Sequence, residues 1–173
     1  MSDIDFVNKT NTQQSEKDLW QTPKELFNAL DKEFNFDTDI CASDKNALCS
    51  TYFTEEHSAF DARWDFFYRS ASCFVNPPYS QTQKFLLMAS EQAKEYGVTV
   101  VALVNANTDT KWFAEASKTA SEVRLISGRI SFVKPDGKKA SGNPKGQALI
   151  IWRGTCKTPC VISVVDRDEL IGK

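Results

Sequence analysis

The sequence predicts the α/β class: one domain built on a mostly parallel β-sheet, with antiparallel strands late in the chain. Three observations point there. Segments patterned as strands alternate with segments patterned as helices over most of the chain, and near the end strand follows strand. Residues 98–104 form an almost continuous apolar run, the pattern of a strand covered on both faces. A chain of 173 residues that is 41% apolar and 12% aromatic can pack one core and is too short for two domains of ordinary size.

Residues 1–18, polar and aperiodic, read as a flexible N-terminal arm ahead of a domain spanning 19–173. Order is expected from about Trp20. Thr22-Pro23-Lys24-Glu25 has the composition of a helix start, with Thr22 as N-cap, Pro23 at the first helical position and Glu25 closing a capping box. Leu26, Phe27, Leu30 and Phe34 then recur at helical spacing and define a buried face. Residues 36–40 alternate as a strand does; Cys41, Ala42 and Ser43 make a small-residue turn, and Asp44-Lys45-Asn46 reads as a helix start. A short aromatic strand is expected at 51–53 and a buried one at 73–75. The buried strand stops at Asn76-Pro77-Pro78-Tyr79, because two consecutive prolines cannot continue a sheet ladder. Phe85, Ala89, Ala93 and Tyr96 mark a helix over 82–96 that ends at Gly97, and the apolar strand 98–104 follows. A further helix begins near Thr110 and carries Trp112, Phe113 and Ala116. Strands are expected at 123–126, 130–133, 147–152 and 161–165, with a Gly/Pro/Lys-rich loop at 134–146.

Composition excludes several function classes. A net charge of -2 argues against coating nucleic acid through bulk electrostatics, so any grip on it must come from a local basic patch. Residues 1–18 have no apolar core after a basic stretch, and no segment approaches membrane-spanning length. The chain reads as soluble and cytoplasmic, with no membrane partner. Five cysteines (Cys41, Cys49, Cys73, Cys156, Cys160) are an odd number and read as reduced thiols. The Cys156-x3-Cys160 pair suggests a metal only weakly: His57 is the sole histidine, no second pair lies at zinc spacing, and no metal is expected.

Asn76-Pro77-Pro78-Tyr79 carries the most chemistry, and average composition puts its chance occurrence in this length below roughly one in a thousand. An exocyclic aromatic amine is a poor nucleophile because its lone pair is delocalised into the ring. Two acceptors against its N–H bonds favour a more pyramidal nitrogen and free that pair. The Asn76 side-chain oxygen is one such acceptor, and a backbone carbonyl held by Pro77-Pro78 is the natural second. Tyr79 supplies a flat face on which an extruded base can stack. The bland alternative is a strand-terminating turn with a packed tyrosine. Position favours the chemical reading, since ligands of open α/β sheets bind beyond the carboxyl ends of parallel strands. Asp39-Ile40-Cys41-Ala42-Ser43 is another strand end, where an acidic residue and small side chains suit a charged, adenosine-bearing cofactor; a solvated turn is the alternative, and a glycine-rich loop is absent. Trp20-x-Thr22-Pro23 serves equally as a helix cap or a ligand contact.

Taken together, Trp20-x-Thr22-Pro23, the segment from Phe36 to Ser43, Asn46 through Cys49, Tyr52-Phe53-Thr54, Trp64, Asn76 through Ser80, Thr108 through Phe113 and Gly128-Arg129-Ile130-x-Phe132 resemble the phage-type DNA N-6-adenine methyltransferases. The resemblance covers about residues 20–152. It implies a single-domain, Rossmann-like, S-adenosylmethionine-dependent methyltransferase with a mostly parallel seven-stranded sheet, and adenine N6 in double-stranded DNA as acceptor. By motif, Trp20, Thr22, Pro23, Asp39, Cys41, Ala42 and Asn46 would line the cofactor site, and Asn76, Pro77, Pro78 and Tyr79 would be catalytic. Members of the family often carry an acidic residue shortly after the Tyr-Phe-Thr strand, where this chain has Ser58; Glu55, Glu56 and Asp61 stay open as its replacement.

For DNA contact the loop 134–146 is the candidate. Lys134, Lys138, Lys139 and Lys145 can neutralise phosphates, and Asn143 or Ser141 can reach base edges; a solvated hairpin is the even alternative. Arg129, just before a strand, joins them. Two other functions stay open: methylation of a protein glutamine amide or an RNA amine by the same tetrapeptide, and a non-catalytic DNA-binding relative. The recognition sequence and the oligomeric state are not encoded in any local pattern.

Overall fold

The computed structural model describes residues 14–65, 71–140, 143–154 and 159–173. Its elements are α1 (Gln14–Lys17), α2 (Lys24–Phe34), β1 (Thr38–Asp39), β2 (Thr51–Tyr52), β3 (Ser72–Val75), α3 (Thr82–Tyr96), β4 (Thr99–Asn105), α4 (Lys111–Thr119), β5 (Glu122–Ser127), β6 (Gln147–Arg153), β7 (Val161–Asp166) and α5 (Arg167–Ile171). Among the described residues the strands form one seven-stranded, mostly parallel sheet in the order β2-β1-β3-β4-β6-β5-β7.

β4 is apolar on both faces because both are covered, and alternate residues feed two different cores. Val100, Ala102 and Val104 join Val75, Val123 and Ile150 under Phe85, Leu86, Ala89 and Ala93 of α3 and Phe113 and Ala116 of α4. Val101 and Leu103 join Phe74, Ile126, Leu149 and Ile151 against Leu26, Phe27, Leu30 and Phe34 of α2, with Leu170 and Ile171 of α5 alongside. Each of the four α2 side chains contributes about 1.5–3 kcal/mol on full burial. Asn35 ends α2 in the left-handed region at φ 50, and Asp31 accepts the Phe36 N–H at 2.8 Å, which turns the chain into β1. Gly97 ends α3 in the same way at φ 69 and leads into β4.

Several elements depart from the sequence expectation. β6 pairs antiparallel with both β4 and β5, whereas β7 pairs parallel with β5, so only one of the two last strands is reversed. Residues 130–133 do not form a strand: Val133 makes isolated bridges to Gln21 and Lys139, and the alternation of Ile130 and Phe132 reflects packing in the α2-side core. Residues 44–46 form a turn, with no helix after it. The chain is already helical before Trp20, at α1, and residues 1–13 of the expected arm lie outside the described residues. α2 begins at Lys24 with Pro23 at the N-cap and no side-chain cap bond, so Thr22 does not cap it.

Candidate active site

The parallel strands β1, β3 and β4 end on the same edge of the sheet. β1 is only two residues long, but its register pairs Asp39 with Phe74 of β3, two residues before Asn76. The Pro77-Pro78 step removes two N–H donors and ends β3. A short 3-10 turn, Tyr79–Gln81, then leads into α3. The Gln81 N–H donates to the Pro78 carbonyl at 2.9 Å, and the Thr82 hydroxyl lies 3.3 Å from the carbonyls of Pro78 and Tyr79. From the other side Asp18 accepts from the Ser80 hydroxyl at 2.7 Å and the Ser80 N–H at 3.3 Å.

Thr22 is buried, and its hydroxyl accepts a hydrogen bond from Asn76 Nδ2 at 3.0 Å. This contact, between residues 54 positions apart, explains the missing cap: the oxygen that would close the helix start holds the Asn76 amide instead. Among the described residues, Asn76 Oδ1 and the Pro77 carbonyl accept no hydrogen bond, whereas the Pro78 carbonyl is engaged. The strand end thus presents two acceptors, one from a side chain and one from the backbone.

Asn76 and Pro78 of this motif border a cleft of about 960 Å³. Trp20, Thr22, Asp39, Cys41, Ala42 and Asn46 line it together with Asn76 and Pro78. Pro23 is not among its walls; its carbonyl accepts the N–H groups of Leu26 and Phe27, both at 3.1 Å, so its part is to start α2 and set Thr22. Trp20 is held by stacking on Phe132, ring centroids 6.3 Å apart. Asp39 is 2% exposed, and its carboxylate accepts from the Cys41 N–H at 3.3 Å and the Leu48 N–H at 3.1 Å. Asp39 therefore ties down both ends of the loop 41–48. Burial pushes its carboxyl up to about 6, against the pull of those two amides. Within the loop Asn46 Oδ1 accepts from the Ser43 N–H at 2.6 Å and the Ser43 hydroxyl at 3.0 Å. Of the acidic candidates, Glu55 and Glu56 line the cleft and Asp61 does not. Burial raises the Cys41 thiol well above its usual range and Cys49 to about 12, so neither is a thiolate nucleophile.

A smaller cavity of about 130 Å³ is lined by Tyr79 of the motif and by Thr82, Asn105, Asn107, Trp112 and Asn143, with Lys17, Pro144 and Lys145. Burial, and secondarily Asp18, raise the Tyr79 phenol to about 12, which keeps the ring neutral. Asn105 ends β4 as Asn76 follows β3. Because β6 runs antiparallel to β4, pairing Gln147 with Asn105, the residues entering β6 arrive at the edge where the parallel strands end. That reversal brings Asn143 and Lys145 to the site. The sequence analysis does not assign Asn105, Asn107 or Trp112 to the site, although the segment around Trp112 stands among the resembling motifs.

The loop 134–146 divides in two. Its first part is a tight turn, with the Lys134 N–H donating to the Lys138 carbonyl and the Gly137 N–H to the Lys134 carbonyl, both at 2.8 Å. Pro135 and Gly137 border the large cleft, while Lys134, Lys138 and Lys139 point into solvent, Lys138 lying 3.7 Å from Asp136. The second part is at the small cavity. Arg129 is exposed, and its guanidinium lies 3.8 Å from where a side chain on Gly146 would begin. Ser141, Gly142 and Cys156 lie outside the described residues.

The family model described as DNA N-6-adenine-methyltransferase (Dam) matches residues 9–173. A protein of Haemophilus phage HP1 (strain HP1c1) named DNA N-6-adenine-methyltransferase is 36% identical over 151 residues, 85% of this chain and 85% of that protein. A protein of the same name from Escherichia phage T1 is 31% identical over 161 residues, 83% of this chain and 66% of that protein. The chain belongs to the DNA N-6-adenine-methyltransferase (Dam) family.

Proposed function

We propose that this chain transfers a methyl group from S-adenosylmethionine to the N6 amine of adenine in double-stranded DNA, acting as one Rossmann-like domain. The observation that carries the reading is the pair of open acceptors, Asn76 Oδ1 and the Pro77 carbonyl, in a motif whose Asn76 and Pro78 line the large cleft and whose Tyr79 lines the small cavity. The names of both phage relatives support the choice of acceptor.

The walls of the large cleft suit the cofactor. Trp20 and Phe53 offer apolar surface, and Asp44, Glu55 and Glu56 offer carboxylates for hydroxyl and amino groups and a negative field for a sulfonium. When bound, S-adenosylmethionine supplies an electrophilic methyl on a positively charged sulfur. Trp20, Thr22, Asp39, Cys41, Ala42 and Asn46 would hold it, with Asp39 acting chiefly through the loop it shapes and Pro23 through Thr22. On the acceptor side Asn76 Oδ1 and the Pro77 carbonyl take the two N–H bonds of the amine, and its lone pair becomes available. Tyr79 stacks on the extruded base. The amine so held would be placed to take the methyl group from sulfur, leaving the neutral thioether, and would then lose its proton to solvent. Positioning and electrostatics suffice, without a covalent enzyme intermediate. Lys134, Lys138, Lys139, Lys145 and Arg129 would meet phosphates.

The test is transfer of tritium from methyl-labelled S-adenosylmethionine to duplex DNA, RNA and a protein mixture in parallel. Label in duplex DNA alone is expected. Label in RNA or protein with none in DNA would move the same chemistry to another amine, and no transfer to any of them would overturn the reading.

A further inference from the structure

Of the three side-chain amides that line the small cavity, those of Asn105, Asn107 and Asn143, two are oriented by hydrogen bonds to the protein, Asn105 and Asn143. Asn143 Oδ1 accepts from the Lys145 N–H at 3.3 Å, and its other end, Nδ2, is buried with no hydrogen-bond partner among the described residues. Asn105 Oδ1 accepts from Nε2 of Gln147 at 2.8 Å; Gln147 is 1% exposed, so Asn105 is held by a fixed partner. In both residues the oxygen end faces a protein donor and the NH2 end is left to donate. A buried amide donor without an acceptor is rare in folded proteins and calls for an explanation. Asn143 itself is one of the residues lining a cavity whose other walls include Tyr79 and Trp112.

Two NH2 donors beside aromatic rings suit a flat heterocycle that offers ring nitrogens as acceptors. Of the amine-bearing DNA bases, only adenine has its amine flanked on both sides by unprotonated ring nitrogens, N1 and N7. In cytosine one flank is a C–H, and in guanine one flank is an N–H. We propose that Asn143 donates from Nδ2 to one of the two ring nitrogens flanking N6 of the extruded adenine, and so sets the choice of adenine over cytosine. In this role Asn143 reads the target base itself and not the groove, and Asn105, fixed by Gln147, is the second donor of the same cavity. The inference rests on the proposed methyl transfer and goes beyond it by naming how the base is chosen.

The experiment uses duplex oligonucleotides built on a site mapped by methylation-sensitive sequencing, with adenine, 7-deazaadenine or 1-deazaadenine at the target position. The full-length protein is compared with Asn143→Ala and Asn143→Asp. Loss of one neutral hydrogen bond is expected to lower kcat/KM of Asn143→Ala on adenine on the order of 10-fold. Asn143→Asp, which replaces the donor by an acceptor, is expected to fall further. The dissociation constant of S-adenosylmethionine should stay at the wild-type value in both variants, which also reports that they are folded. One of the two analogues should lower the wild-type rate by the same factor and lower Asn143→Ala no further. Losses that multiply for both analogues, or an Asn143→Ala variant at wild-type rate on adenine, would overturn the inference while leaving the methyl transfer intact. A wild-type protein that methylates no duplex adenine would remove both.

Discussion

Asp39 offers a quantitative test of how the cofactor cleft is built. Its carboxyl is pushed by burial from the usual 3.8 to about 6 and is held between the Cys41 and Leu48 amides. Between about pH 4 and 6 the folded protein therefore retains a proton that the unfolded chain has released. The number of protons bound is higher in the native state across that window, so this group makes stability fall as pH rises through it. Below the window Asp39 is protonated in both states, and above it ionised in both. A displacement of about two pKa units corresponds to roughly 3 kcal/mol. Asp39→Asn removes the titration, and urea denaturation of both proteins at steps from pH 3.5 to 7.5 isolates it, because the other carboxylates cancel in the difference. Stability of the wild type minus that of Asp39→Asn is expected to decline by about 2–3 kcal/mol from pH 4 to 6 and to stay flat from there to pH 7.5. A constant difference, or one that rises with pH, would refute the claim that burial governs this carboxylate. Because a bound cation favours the ionised form, affinity for S-adenosylmethionine should rise through the same window in the wild type and not in the variant.

Other consequences follow from single contacts. Thr22→Val removes the acceptor for Asn76 Nδ2 and leaves that donor partly buried and unpaired, at a cost of about 1–3 kcal/mol, whereas Thr22→Ser keeps it. Single-turnover rates should drop in the valine variant and recover in the serine one; a stability loss with an unchanged rate would reduce the hydroxyl to a structural anchor. Replacing the exposed Lys134, Lys138 and Lys139 together by Gln should lessen the salt slope of DNA binding by roughly 0.9 per lysine that meets a phosphate, and an unchanged slope would take this turn out of the interface. Gly154 has φ +48, and a Cβ there would lie 2.5 Å from the Gly97 carbonyl oxygen, so Gly154→Ala should lower the urea midpoint by more than about 1 kcal/mol equivalent, with the rate per folded molecule intact.

The parts of the fold that were legible in sequence are those governed by local periodicity. β4 shows its double burial as an almost continuous apolar run, and α2 and α3 show their core faces at helical spacing. Residues 130–133 were misread because alternation has two causes: Ile130 and Phe132 alternate by packing in the α2-side core, and only Val133 pairs with neighbouring chain. Thr22 was misread for a related reason, since a capping pattern is local and the bond from Asn76 is not. Asn76 through Tyr79 stood out because two prolines at a strand end have few purely structural uses. Asn105 and Asn107 carry no such mark. Their place at the small cavity depends on β6 running antiparallel beside β4, a pairing between residues 42 apart that no window of sequence contains. One signal was available, an asparagine ending an apolar strand in the same manner as Asn76.

The central claim is that the strand end at Asn76 activates the amine of adenine. Its most direct test is mass analysis of nucleosides from plasmid DNA incubated with S-adenosylmethionine and either the wild type or Asn76→Ala, with cofactor affinity measured for both. The expected result is N6-methyladenine from the wild type alone, with affinities for the cofactor of the same order in the two proteins. N6-methyladenine formed by Asn76→Ala at the wild-type rate, or a wild-type product methylated on a base other than adenine, would contradict the claim.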